Sequence, residues 1–120
     1  MAMAQHSSGH GTSKGGAAAQ HGSPHAAQHM TPSESDSPSV RAFKEAHMKM
    51  MKEMDVQLTG NADVDFANAM IPHHQGAIDM ARVQLAHGKD PEIRVLAERV
   101  IAEQEKEIAQ MRGWLKKNAK

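Results

Sequence analysis

The chain contains no cysteine and no tyrosine, and its aromatic side chains are limited to two Phe and one Trp. The missing thiols exclude disulfides, iron–sulfur clusters and zinc sites of the cysteine type. With so few rings there is little to stack on bases. Acidic and basic side chains balance at fourteen each, so no charge excess points to nucleic acid either. No apolar run approaches the length that spans a bilayer. Any core must therefore be built from Ala, Leu, Ile, Val and Met.

Two residue types are abundant instead: ten Met and nine His in 120 residues. A chain of this length allows one small domain at most. Residues 1–38 are largely Gly, Ser, Ala, Gln, Pro and His. Such a segment buries too little apolar surface to offset its ordering entropy and is expected to be a disordered, His-rich leader. His6, His10, His21, His25 and His29 recur along it, with Met30 directly after. A flexible leader without further role and a metal-collecting tail both fit that pattern. Ala2-Met3-Ala4 has the form that ends a secretory signal, a pointer to export without the apolar stretch of a complete signal.

A helical metal-binding domain is expected over residues 39–117. Ser37 or Ser39 caps a first helix running to about Leu58, where Thr59-Gly60-Asn61 breaks it. A second helix spans Ala62 to His87 with Gly88 as its stop, and Pro72 inside it predicts a kink. Asp90-Pro91 opens a third, whose apolar stripe runs through Ile93, Leu96, Ala97, Val100, Ile101, Ile108, Met111 and Leu115. Three helices joined by short loops predict an all-α antiparallel bundle. A helical part of about 80 residues is near the lower limit for a self-sufficient core, which makes a homodimer an expected state.

In the first helix His47, Met50, Met51 and Met54 stand at offsets that share one face, so an imidazole and three thioethers point the same way. In the second, Met70, His73, His74 and Met80 follow the same logic. The plain alternative is that methionine fills core gaps, as it does well; so many Met and His in so few residues shift the balance toward ligands. Folding the helices back through their loops sets Met54 near Phe66, Met50 and Met51 near Met70, and His47 near His73 and His74. It also sets Phe66 near Met111, Met70 near Glu107 and Ile108, and His74 near Gln104. Gln104 is then the expected hydrogen-bond partner of an imidazole N–H, leaving the other ring nitrogen for a metal. All these donors would meet at one level of the bundle.

Donor type selects the metal. Thioethers favour Cu(I) or Ag(I), and imidazole also accepts Cu(II), Zn and Ni, so a mixed set points to copper with silver as its mimic. A carboxylate-bridged di-iron centre needs Glu-x-x-His motifs on inward faces. None occurs here.

The run Asp63-x-Asp65-Phe66-x3-Met70-Ile71-Pro72-His73-His74-Gln75-Gly76-Ala77-Ile78-Asp79-Met80-Ala81, followed by Gln104-x2-Glu107-Ile108-x2-Met111-x2-Trp114-Leu115, resembles the CopM-like family, domain-of-unknown-function family 305. The resemblance covers residues 40 to 116 and leaves the leader outside. It implies a ferritin-like helical bundle, export to the periplasm or cell surface, and copper binding linked to metal resistance. The family's first helix usually reads Met-x2-Met-His-x2-Met. Here His47 stands in the first Met place and Met51 in the His place, so the two ligand types are exchanged. What the resemblance carries over rests chiefly on Met70, His73 and His74.

The expected function is a non-enzymatic protein that sequesters copper or hands it to a partner protein outside the cytoplasm. The expected ligands are drawn from His47, Met50, Met51, Met54, Met70, His73, His74, Met80 and Met111. Two other readings stay open at this point: a redox enzyme that oxidises Cu(I) or another ion, and a structural helical module whose methionines only pack.

Overall fold

A computed structural model describes residues 30–119. The expectation of a disordered leader over residues 1–38 lies outside the described residues for 1–29; over 30–38 it is corrected, since Asp36 is held by Lys44 at 3.1 Å, Arg41 donates to the Ser33 carbonyl, and Ser37 and Pro38 open the first helix. The described residues form three helices and no strand: α1 (Pro38–Glu53), α2 (Ala62–His87) and α3 (Pro91–Asn118). The all-α class is as expected, and so are the limits of α2.

Each helix begins where local chemistry supplies a cap. The Ser37 hydroxyl accepts from the Val40 N–H, with Pro38 just inside the helix. The Asn61 side chain accepts from the Asp63 and Val64 amides. Asp90 accepts from Glu92 and Ile93. At the other end of α2, the Arg94 guanidinium donates to the carbonyls of Leu85 and Gly88, at 2.7 and 2.9 Å. It thereby satisfies carbonyls that a helix end leaves open. Pro72 lies inside α2 without ending it; lacking an N–H, it leaves the Asn68 carbonyl without its helical partner.

The first helix ends at Glu53, a turn earlier than expected, with Met54 as its cap. The reason lies in α2. The Asp65 carboxylate accepts from the Thr59 N–H and hydroxyl, both at 2.8 Å, and from the Gly60 N–H at 3.0 Å. Those bonds hold residues 55–60 in a non-helical path, with Gly60 at a φ of 91° that an L side chain would resist. An extended residue advances ~3.3 Å against ~1.5 Å in a helix, so this connection reaches far along α2 before α1 starts. α1 is therefore displaced: Lys49 pairs with Asp79 at 3.2 Å, and Met50 rests on Gly76 rather than near Met70.

α2 is the central helix. It packs against α1 and against α3, while α1 and α3 do not pack against each other. The buried apolar set is small: Ala46, Val64, Ala67, Ile78, Ala81, Ala97 and Ile108, four of the seven being alanine. Ile78, 1% exposed, is the only large side chain fully enclosed among the described residues. Burying it contributes about 1.5–3 kcal/mol. The alanines let the helix axes approach closely, but they bury little area.

Candidate metal centre

The seam between α2 and α3 holds a cavity of about 320 Å³ lined by Phe66, Met70, His74, Glu107, Gln110 and Met111. Met70 and His74 stand one turn apart on α2 and so present their side chains to the same neighbour. Phe66 and Met111 lie across the seam from each other, as do Met70 and Glu107, as the loop register predicts. The cavity continues into a groove that shares Phe66, Gln110 and Met111 and adds Asp63, Ala67 and Trp114.

His74 is 8% exposed, the one buried polar side chain among the described residues. Its Nε2 is hydrogen-bonded to the Glu107 carboxylate. The loop register predicts Gln104 as the partner; Glu107 takes that place. Helical side chains lean toward their own N-terminus. The two helices run in opposite directions, so Glu107 leans from the level of Met70 toward His74, and His74 leans back to meet it. An ionised carboxylate only accepts, so Nε2 is the donor here, and in the neutral form of the ring Nδ1 keeps its lone pair. That Nδ1 is buried and has no hydrogen-bond partner. An unsatisfied buried polar atom costs roughly 1–3 kcal/mol. A bound cation at Nδ1 removes that cost, and a carboxylate on the far ring nitrogen is the usual way of orienting a ligating imidazole. An imidazole that lines one cavity with two thioethers, its Nε2 held by a carboxylate, is a donor set for a soft or borderline ion.

The other expected ligands are not brought to this place. Gly76 is two residues from His74, ~200° around α2 at ~100° per residue. Met50, seated on Gly76, therefore occupies the opposite side of the helix from the His74 cavity. His47, Met51 and Met54 belong to the same displaced α1: His47 and Met54 are half-buried and Met51 is exposed. The register set by Lys49–Asp79 and Met50–Gly76 places His47 beside residues 79–81 of α2, not beside His73 and His74. His73 is exposed, its ring centroid 6.1 Å from that of His74. Met80 is partly exposed in a separate apolar groove with Phe43. The expectation that every donor meets at one level is thus corrected to Met70, His74 and Met111 together in one seam, with the α1 donors on the far side. Among the described residues no three His, Asp or Glu side chains cluster as a metal site. A centre here has to include sulfur.

Fold and seam together define a small all-α protein built around a thioether- and imidazole-lined cavity. Residues 2–115 match the family described as Domain of unknown function (DUF305), and the chain belongs to that family. The match runs through the leader, which the motifs alone left outside. "Uncharacterized protein L153" of Acanthamoeba polyphaga mimivirus is 42% identical over 53 residues, or 44% of this chain. The matched part spans about a third of that relative's own length, 35%. Neither description names a ligand or an activity.

Proposed function

We propose that this protein binds copper, chiefly as Cu(I), and holds or passes it on outside the cytoplasm without catalysing a reaction. The observation that carries this reading is the buried, unpartnered Nδ1 of His74, in a ring whose other nitrogen is held by Glu107 and which lines one cavity with Met70 and Met111. Those residues fit the ion: two thioethers and a neutral imidazole are soft enough for Cu(I) and for Ag(I) as its mimic. Thioether and imidazole donors also suit an oxidising compartment, where a thiolate site is lost to oxidation. That is the support for an exported protein acting in the periplasm or at the cell surface in metal resistance. The half-buried cavity opens along the Phe66–Trp114 groove, which suits an ion that must be surrendered to a partner protein.

The test is a Cu(I) titration of the full chain against a chromophoric chelator. Tight binding that falls sharply in Met70→Ala, His74→Ala and Met111→Ala supports the site, and affinity unchanged in all three removes it. A ligand of the folded state must also raise the midpoint of unfolding, by ~2.7 kcal/mol of stability at a hundredfold excess over Kd. A chain whose methionines merely pack gains no stability from copper or silver.

A further inference from the structure

A second apolar surface lies away from the metal seam, at the start of α3. Ile93 is 46% exposed and Leu96 50% exposed. They border a groove of about 310 Å³ shared with Phe43 of α1, Met80 and Ala81 of α2, and Val100. On the outer edge of the same helix face stand Glu92 and Arg99, neither of which makes an ion pair among the described residues. The groove exists because α1 and α3 do not meet.

We infer that this face is the homodimer interface, covered by α3 of a second copy in antiparallel, two-fold pairing centred on Leu96. Three observations select that occupant. The buried core of the single chain is mostly alanine, too little for a domain of this size, while its larger apolar side chains stand outside. Residues 1–29 contain no Val, Leu, Ile, Phe or Trp, and Met1 and Met3 are their only large apolar side chains, too few to cover the groove. The charges on the face are complementary to themselves. In an antiparallel pair about Leu96, residue 92 of one copy lies level with residue 100 of the other, and residue 99 with residue 93. Glu92 then sits beside the partner's Arg99, and by symmetry the contact occurs twice. A two-fold axis across the helices keeps both charged edges on one side of the seam, and Ile93, Leu96 and Val100 close the other. The surface lies several turns from Glu107 and Met111 on α3, so it stands whether or not the seam binds copper.

The experiment is sedimentation of the full, metal-free chain from micromolar to submillimolar concentration, comparing wild type, Leu96→Asp, Arg99→Glu and the swap Glu92→Arg/Arg99→Glu. All three positions are exposed, and circular dichroism checks that each variant keeps its helices. The wild type is expected to dimerise and Leu96→Asp to be monomeric. Arg99→Glu replaces two attractions with two repulsions and weakens association at least ~10-fold. The swap variant restores it, because each copy again meets its complement. A wild type that stays monomeric overturns the assignment and leaves the groove to a membrane surface or another protein. So does a dimer indifferent to Leu96→Asp, or a swap variant no better than Arg99→Glu.

Discussion

Met50 lies over the bare backbone of Gly76, where α1 crosses α2. A Cβ at position 76 would come within 2.6 Å of the Met50 Cγ and 3.0 Å of its Cβ. The approach to the Cγ is closer than real Cβ atoms show, and the Met50 Cβ, which no rotamer change moves, would have to give by a few tenths of an ångström. Glycine at 76 therefore sets both the spacing and the register of the two helices.

Gly76→Ala is expected to destabilise the protein by about 1–3 kcal/mol through overpacking, despite alanine's better helix propensity. Shortening the facing side chain relieves the clash, so Met50→Ala in the Gly76→Ala background recovers part of the loss. Denaturant unfolding of the four variants in a double-mutant cycle reads the coupling directly. Additive effects would show that the two side chains do not meet.

Glu107 is expected to matter for metal without touching it. Glu107→Ala frees the His74 ring to turn and to exchange its proton between nitrogens, and should weaken Cu(I) binding about 10- to 100-fold. His74→Ala removes the donor itself and should cost more. Equal losses in the two variants would make Glu107 a ligand instead.

Trp114 is the only tryptophan in the chain, and there is no tyrosine to obscure its emission. It shares a groove with Met111, next to the His74 cavity. Copper or silver is expected to quench its fluorescence in proportion to metal added, saturating where the chelator titration saturates. Met111→Ala should flatten that response. Quenching that persists in Met111→Ala at the same stoichiometry places the ion elsewhere.

The turn before α2 should respond to acid. Bonds from the Thr59 backbone and hydroxyl, and then from the Gly60 backbone, hold the Asp65 carboxyl below its ordinary value of 3.8. A lowered carboxyl stabilises the fold above its unfolded pKa and loses that contribution as pH falls through the folded one. Asp65→Asn should thus lower the melting temperature by a steady amount between about pH 5 and 8, with the difference closing below 3.8. A gap independent of pH would mean that the loss comes from shape rather than charge.

Much of the fold was legible in the sequence because its punctuation is strong. Asn61, Gly88 and Asp90-Pro91 mark helix ends by local chemistry, and α2 and α3 begin where those residues put them. The α2–α3 pairing was legible too, since a tight connection leaves little freedom: Phe66 opposite Met111 and Met70 opposite Glu107 follow from counting back from Gly88. The end of α1 was not. Nothing in Asp55-Val56-Gln57-Leu58 announces that Asp65, in the next helix, will draw Thr59 and Gly60 into an extended path. Those bonds, made across only five or six residues, move Met50 from Met70 to Gly76 and take the α1 donors away from the seam. Glu107 was assigned a neighbour but not a role, because the count of residues locates a Cα and not the lean of a side chain.

The separation of α1 from α3 also bears on how the molecule breathes. α3 shares a long seam with α2, whereas α1 is attached to the rest by one face alone, through contacts such as Met50–Gly76 and Lys49–Asp79. Its release need not disturb the hairpin of α2 and α3. Amide hydrogen exchange is expected to find α1 opening at a lower free energy than the other two helices, as a separate cooperative unit. The His74 seam then belongs to the slow-exchanging part of the chain, and the methionines of α1 to a part that comes and goes.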